Sequence, residues 1–268
     1  MKKILSLFTL LLALTLLSSC GLNEPMKVEK PEDATSEDVN KPIDKNPDVE
    51  DERNFEEIAY QEQMNRIRQM YPNIKSATDF NENGIDDYSD FVNGARKDAI
   101  NHPIYDPAYV GTNKGYPAPE RGVCTDVIWR AFKEAGYSIR SMLNNDIEND
   151  PGSYTLYGPF DGYIEFRRVN SMRPFLEKYF KVLPNELEDP NDWQPGDIVI
   201  FNPDDYHIGL LSDNRNLDGF PLVFHNQGQS EREEDFLSKR EISGHFRFVP
   251  EDIPQGVLVP WEDGEDGQ

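Results

Sequence analysis

The sequence predicts an α+β fold, with helices in the first half of the folded chain and a small antiparallel sheet in the second half. Up to about residue 135, apolar side chains recur three or four residues apart, which is helical spacing. After residue 193, short apolar runs rich in β-branched residues alternate with polar turns, as in a strand meander. The 268 residues, of which 37% are hydrophobic, suffice for one medium-sized domain with accessory segments.

The chain is strongly acidic, with a formal net charge of -23. Nucleic acids are bound through clustered basic residues, so this charge argues against a nucleic-acid partner. It also argues against binding to anionic lipids through a polybasic segment.

Residues 1–19 have the composition of a secretory signal peptide. A basic start precedes an almost wholly apolar run from Ile4 to Leu17, and small residues stand just before Cys20. The pattern resembles a bacterial lipoprotein signal, which implies that Cys20 becomes the lipidated, palmitate-bearing first residue of the mature protein. The alternative is an uncleaved anchor, but the apolar run is short for a spanning helix. We expect an exported protein, anchored by lipid at the cell membrane or outer membrane.

Two acidic segments flank the predicted folded region. Residues 20–54 contain four prolines, many acids and no aromatic side chain, a composition that cannot bury enough apolar surface to fold. We interpret them as a disordered linker that tethers the folded part to the membrane. Residues 251–268 are also rich in acids, and we expect a solvated tail there.

Residues 55–103 are predicted to form a helix, a calcium loop and a second helix. Helical spacing runs from Phe55 to about Met70, and the second helix is expected from Phe91 to Asn101. Oxygen donors between them occupy the positions that an EF-hand-type loop uses, with Gly84 at its sharp turn. The candidate calcium ligands are Asp79, Asn81, Asn83, the Ile85 carbonyl, Asp87 and Asp90.

This loop departs from the EF-hand pattern in one respect. An apolar residue is usual at position 8, whereas here Ile85 stands at position 7 and Asp86 at position 8. The loop is closer to the acidic, calcium-bound loops of thrombospondin type 3 repeats. We expect weak binding that orders the segment without taking part in chemistry, because the short side chain of Asp90 replaces the usual glutamate. The alternative is a solvated acidic turn without metal.

Cys124 stands where a helical pattern begins, within the string GVCTDVIWRAF. At a helix N-terminus, backbone N–H groups and the helix dipole favour the thiolate, so a cysteine there is a candidate nucleophile. The competing interpretation is a cysteine that merely packs in the core. Zinc is not expected, because one further cysteine and four scattered histidines offer no ligand pair at metal-binding spacing.

Three predicted strands place histidines close together. They are Ile198–Phe201, His207–Leu211 and Leu222–Asn226, separated by polar turns. A single histidine at a strand end is usually structural, but His207 and His225 on neighbouring strands favour a site. Two other histidines, His102 and His245, receive no role.

These parts, in this order, resemble NlpC-type cell-wall peptidases of the papain-like superfamily. The sequence is more similar still to family 1287 of the bacterial domains of unknown function. The segments that carry this second resemblance are RGVCTDVIWRAFKEAGY, FRRVNSMRPFLEKY, WQPGDIVIF, HIGLLSD, FHNQG and SGHFRF. The resemblance covers Tyr105 to Val249 and implies a papain-like domain over 104–250, with a helix packed on an antiparallel sheet.

The resemblance also implies a catalytic set. Cys124 corresponds to the nucleophile and His207 to its general base. The residue that orients the imidazole is His225 or its neighbour Asn226. Adjacent residues on a strand point to opposite faces, so only one of these two can enter the site.

The substrate-facing parts differ from the NlpC pattern. Thr125 and Asp126 replace the usual small pair, and a long insertion runs from Gly136 to Asp192. Within it, Arg167 and Arg168 are candidates to bind a substrate carboxylate, against the alternative of a structural ion pair. Asp126 is a candidate substrate contact or simply a favourable charge at the helix start.

The resulting hypothesis is a lipid-anchored thiol hydrolase, an amidase or endopeptidase acting on peptidoglycan. One rival is a non-catalytic, calcium-stiffened envelope lipoprotein that binds a peptide or glycan in the same cleft. Another is a papain-like transferase, which differs from the hydrolase only in the acceptor of the acyl group.

Overall fold

The computed structural model describes residues 47–202 and 207–267 and confirms an α+β fold. The helices in these ranges are α1 (Pro47–Met70), α2 (Asp87–Asn101), α3 (Cys124–Glu134), α4 (Ile139–Asn149) and α5 (Val169–Tyr179). The strands are β1 (Ile104–Tyr105), β2 (Arg121–Gly122), β3 (Lys181–Val182), β4 (Ile198–Phe201), β5 (His207–Arg215), β6 (Pro221–Phe224), β7 (Glu233–Glu234) and β8 (Ile242–Arg247).

The main sheet has six antiparallel strands in the order β3-β8-β4-β5-β6-β7. At its centre, β4 pairs with β5 so that Phe201 stands opposite His207. On the other side of β5, Leu210 stands opposite Phe224 of β6. A separate short parallel pair, β1 with β2, leads directly into α3. His207 therefore begins β5, while His225 directly follows β6, because the strand predicted over Leu222–Asn226 spans Pro221–Phe224.

The core forms where α2 and α3 pack together and against β5. Phe91 of α2 stacks on Phe132 of α3 with ring centroids 4.4 Å apart, and Phe248 meets Phe132 edge-on at 5.2 Å. Burying such large rings stabilises the domain by roughly 2 to 3 kcal/mol for each side chain. This packing fixes the N-terminus of α3 over the sheet.

Two helix boundaries differ from those predicted by apolar spacing. The first helix begins at Pro47, before Phe55, so part of the expected 20–54 linker is helical. The second begins at Asp87, because the Asp86 side chain caps it by accepting a hydrogen bond from Ser89 N–H. The predicted signal peptide, Cys20 and the start of the linker lie outside the described residues. No helix in the described part of the chain is long and apolar enough to cross a membrane.

The C-terminal segment packs on the domain, which corrects the expectation of a solvated tail over 251–268. The Glu265 carboxylate accepts hydrogen bonds from the Tyr116 hydroxyl at 2.7 Å and the Ser138 hydroxyl at 2.8 Å. Trp261 lies parallel to Trp129 of α3, with ring centroids 6.1 Å apart. These acidic side chains are buried because hydroxyl groups and cations of the domain compensate their charge.

Candidate active site

Cys124 is the first residue of α3 and lines a cavity of about 480 Å³. The helix starts here because Asp126, in its first turn, accepts a hydrogen bond from Val123 N–H at 2.6 Å. Only 8% of Cys124 is exposed. The cavity is lined further by Tyr105, Tyr109, Tyr157, Ile164, Arg168 and Asn170.

The thiol of Cys124 is neutral at physiological pH. Burial raises its pKa to about 11, and the negative charge of Asp126 contributes to this rise. Backbone N–H groups of Ile208, Thr125 and Cys124 itself lower the pKa by less than burial raises it. Burial therefore outweighs the helix N-terminus, which the sequence suggested would favour the thiolate. Because Ile208 directly follows His207 in the chain, the hydrogen bond from Ile208 N–H also places the sulfur close to His207.

His207 and His225 form a hydrogen-bonded pair. The distance from Nε2 of His207 to Nδ1 of His225 is 2.9 Å, and both residues are buried. Gly209 permits this close approach of β5 and β6, since a Cβ there would lie 2.5 Å from Cγ1 of Val223. On its other side, His225 Nε2 is 2.9 Å from Oε1 of Glu234.

Asn226, the alternative to His225, is held by backbone groups. Its Nδ2 donates to the Pro103 carbonyl at 3.2 Å, and its Oδ1 accepts from Gly228 N–H at 3.1 Å. These contacts hold the loop after β6 against the chain that precedes β1. Of the two alternatives, the structure brings His225 to the imidazole of His207.

Arg167 and Asp126 bind each other, which differs from the expectation that they contact a substrate. The Asp126 carboxylate accepts hydrogen bonds from Nε of Arg167 at 3.0 Å and from its Nη2 at 2.9 Å. The pair is buried, and Arg167 also donates to the carbonyls of Ala108 and Asp106. A buried pair with these extra partners stabilises the structure around α3.

Arg168 differs from its neighbour because 30% of its side chain stays exposed. Its Nη1 donates to the Glu165 carboxylate at 2.9 Å, and its guanidinium lies over the Tyr157 ring, 5.6 Å from the ring centroid. Both Arg168 and Tyr157 line the cavity that contains Cys124. Arg168 is thus the arginine of the predicted pair that remains accessible to a ligand.

The predicted calcium loop is folded around its own polar groups. Asp79 accepts hydrogen bonds from Asn83 N–H at 3.0 Å and Gly84 N–H at 2.8 Å. The side-chain amides of Asn81 and Asn83 both donate to Oδ2 of Asp90. Asp79, Asn81, Asn83 and Asp90 therefore converge on one region of the loop.

Asp87, a further predicted ligand, does not join this group, whereas Ile85 is predicted to bind through its carbonyl. Asp87 is fully buried and accepts hydrogen bonds from the Tyr137 hydroxyl at 2.8 Å and from Phe80 N–H at 2.9 Å. The apolar side chain of Ile85 is 41% exposed. Within residues 47–202 and 207–267, no three His, Cys, Asp or Glu side chains converge on a metal geometry.

The remaining histidines have structural contacts. His245 lies between Asp197, 2.9 Å from its Nε2, and the Pro184 carbonyl, and it stacks on Trp193 at 4.0 Å. The His102 ring is 2.9 Å from the Ser230 carbonyl. Sequence reasoning missed Glu234, because a two-residue strand in an acidic stretch leaves no periodic signal.

Fold and site together define an α+β protein in which a buried cysteine lies beside a strand that carries one of two hydrogen-bonded histidines. The chain belongs to the family described as "Domain of unknown function (DUF1287)", whose model matches residues 92–248. This confirms the family expected from the sequence motifs, while the resemblance to NlpC-type peptidases stays a prediction.

A curated relative is the "Uncharacterized protein YijF" of Escherichia coli (strain K12). It is 37% identical over 165 residues, which covers 59% of this chain and 80% of the relative. No solved structure matches the chain.

Proposed function

We propose that this protein is a thiol hydrolase that cleaves an amide bond in cell-wall peptidoglycan or another envelope peptide. The observation that supports this most directly is the hydrogen-bonded pair of His207 and His225, of which His207 begins the strand on which the Cys124 helix packs. A papain-like mechanism needs a thiol nucleophile, a general base and a polar group that orients the base. Cys124, His207 and His225 are the residues proposed for these roles.

The proposed reaction has two steps. First, His207 accepts the thiol proton while Sγ of Cys124 attacks the amide carbonyl carbon, and the backbone N–H of Cys124 is one donor for the oxyanion. The C–N bond breaks, the leaving amine receives the proton from His207, and an acyl-thioester remains. Second, water gives a proton to His207 and attacks the thioester, the C–S bond breaks, and His207 returns the proton to the sulfur, which releases the carboxylic acid and restores the thiol. An amine in place of water would give a transferase.

The raised pKa of Cys124 determines at which stage of the proposed reaction the thiol proton passes to His207. A thiol with a pKa of about 11 holds its proton at neutral pH until an acceptor takes it. Removal of the proton by His207 therefore accompanies the attack on the substrate. Catalysis would depend on His207 as a base within the substrate complex.

The side chains that line the cavity are suited to a peptide substrate that carries a carboxylate. Arg168 offers a partly exposed guanidinium, and three tyrosine rings supply apolar walls. Stem peptides of peptidoglycan combine amide bonds with free carboxylates. Because Arg168 already binds Glu165, we expect it to select such substrates without carrying most of their affinity.

The test is hydrolysis of defined muropeptides by wild-type protein, Cys124→Ala and His207→Ala. Wild type should release a new amine, and both variants should lose turnover by about 1000-fold or more. His102→Ala is the matched control, since it removes a histidine whose ring lies against the Ser230 carbonyl, and it should leave activity intact. Turnover that survives Cys124→Ala would refute the proposal.

A second candidate function is a non-catalytic envelope protein that binds a peptide in the same cavity. The observation that favours it is the buried, neutral thiol of Cys124. In that case wild type and Cys124→Ala would bind muropeptides with equal affinity and release no product. Calorimetric titration, followed by mass spectrometry of the same samples, separates the two functions.

We further propose that loop 79–90 takes up calcium. Carboxylate and amide oxygens are the hard ligands that Ca²⁺ prefers, and Asp79, Asn81, Asn83 and Asp90 supply them, with the Ile85 carbonyl as a further donor. Burial raises the pKa of Asp90, and the nearby negative charges of Glu134 and Asp79 contribute to this rise. A bound cation would offset the repulsion among these carboxylates.

Thermal unfolding with calcium or chelator tests this proposal. At about 100 times the dissociation constant, calcium should stabilise the protein by about 2.7 kcal/mol. Asp79→Asn should abolish the shift. Asp218→Asn, a change of the same kind on an exposed turn, is the control and should preserve it.

The proposed location is outside the cytoplasm, with a lipid on Cys20 at the cell membrane or outer membrane. The support is the sequence pattern of residues 1–20. Labelling of cells with an alkyne fatty acid should tag the wild-type protein and not Cys20→Ser. Equal labelling of both would contradict the proposal.

A further inference from the structure

His225 has a hydrogen-bonding partner at each ring nitrogen. Its Nε2 lies 2.9 Å from Oε1 of Glu234, and its Nδ1 lies 2.9 Å from Nε2 of His207. Glu234 belongs to β7, which pairs with β6 directly before His225. The side chain of Glu234 is only 14% exposed, and that of His225 is fully buried.

The ring of His225 is neutral. Burial, together with the positive charges of Lys239, Arg240 and Arg232, lowers the pKa of His225 to about 3. A neutral imidazole carries one N–H and one lone pair, so only one ring nitrogen can donate. The contact with Glu234 is accordingly a hydrogen bond from a neutral ring.

The partners decide which nitrogen donates. A carboxylate has no proton to give, so Nε2 of His225 must donate to Glu234 and Nδ1 must accept. Nε2 of His207 faces this acceptor and must therefore be its protonated nitrogen. The Gln229 amide nitrogen lies 3.2 Å from Nδ1 and 3.4 Å from Nε2 of His225, so the assignment depends on Glu234 and not on Gln229.

We propose that Glu234 is a positioning residue that, through His225, holds His207 in the tautomer with its proton on Nε2. Nδ1 of His207 is then the nitrogen that receives the proton of Cys124. The last step rests on the proposed function, whereas the tautomers of both histidines do not. Glu234 thus lies at one end of a chain that runs through His225 and His207 toward the thiol.

A purely structural role for Glu234 would make a different prediction. Its other carboxylate oxygen binds Lys239, so the residue also ties β7 to the following loop. Loss of that ion pair alone would change stability without moving a proton on either histidine. A measurement of the ring protons therefore distinguishes the two roles.

The test is long-range ¹H–¹⁵N correlation spectroscopy of histidine-labelled full-length protein at neutral pH. Protonated and unprotonated ring nitrogens resonate in separate regions, so each tautomer is observed directly. We expect Nε2–H on both His225 and His207 in wild type. In Glu234→Gln the amide can donate to Nε2 of His225, and both rings should shift toward Nδ1–H.

Glu233→Gln is the matched control. Glu233 is the neighbouring residue of β7, and its carboxylate accepts hydrogen bonds from Ser212 and Asn214 without contacting His225. Its substitution removes the same charge and should leave both tautomers unchanged. With a muropeptide substrate, Glu234→Gln should lower kcat by about 10- to 100-fold at constant KM.

Three outcomes would overturn the inference: Nδ1–H on His225 in wild type, unchanged tautomers in Glu234→Gln, or the same tautomer shift in Glu233→Gln. The wild-type spectrum decides the first point even if a variant fails to fold. If the tautomers are as expected but wild type shows no turnover, the proposed function fails while the positioning of His207 by Glu234 stands.

Discussion

The sharpest prediction concerns the reactivity of Cys124 toward an alkylating agent such as iodoacetamide. The measurement uses the full chain with Cys20→Ser, which leaves Cys124 as its only cysteine. The alkylating agent reacts with the thiolate, so the rate reports the fraction of deprotonated sulfur. We expect slow alkylation at neutral pH and a rate that rises about tenfold per pH unit up to pH 10.

The magnitude follows from the buried position of the sulfur. Burial raises the pKa of Cys124 to about 11, compared with about 8.5 for a free cysteine. At pH 7.5 the thiolate fraction falls from about 1 in 10 to about 1 in 3000. Alkylation should therefore be about 300-fold slower than in the same chain unfolded in urea, which serves as the matched control.

The comparison with His207→Ala decides whether a resting ion pair exists. In our interpretation the thiol is neutral before substrate binds, so this substitution leaves the alkylation profile of the free protein nearly unchanged. A plateau below pH 8 in wild type that disappears in His207→Ala would refute this reasoning. It would show a thiolate–imidazolium pair in the free protein instead.

Three further predictions concern the elements that hold the site. Arg167→Met should destabilise the protein by about 3 to 5 kcal/mol in urea unfolding, because it leaves the buried Asp126 carboxylate without its cation; a loss below 1 kcal/mol would contradict this. Gly209→Ala should cost about 1 to 3 kcal/mol and shift the histidine resonances, since its Cβ would overlap Val223; an unchanged spectrum would be evidence against the close approach of β5 and β6. Deletion of residues 261–268 should lower the thermal midpoint, because it removes the Trp261 and Glu265 contacts; an unchanged midpoint would support the solvated tail instead.

The elements that the sequence predicted well are those that local spacing defines. The helix starts at Cys124, as its apolar pattern predicts, and the strand at Ile198–Phe201 has the expected bounds. His207 begins the next strand of the meander. Each of these follows from a periodic pattern within about ten residues, which is where sequence reasoning is strongest.

The features that escaped prediction depend on contacts between distant parts of the chain. Acidic composition suggested solvent exposure for Glu265, yet its partner Tyr116 lies 149 residues earlier. Strand alternation left His225 and Asn226 as alternatives, because it indicates that one of them faces the site without indicating which. The choice follows from the turn after β6, where Asn226 accepts a hydrogen bond from Gly228 N–H.

The burial of Cys124 also affects how readily the sulfur is oxidised. Peroxides attack the thiolate to give sulfenic acid, and further oxidation to the sulfinic and sulfonic acids is largely irreversible. A neutral thiol with 8% exposure offers these oxidants little thiolate and little access. The side chains that bury the sulfur and slow its alkylation would thus also protect it from oxidation.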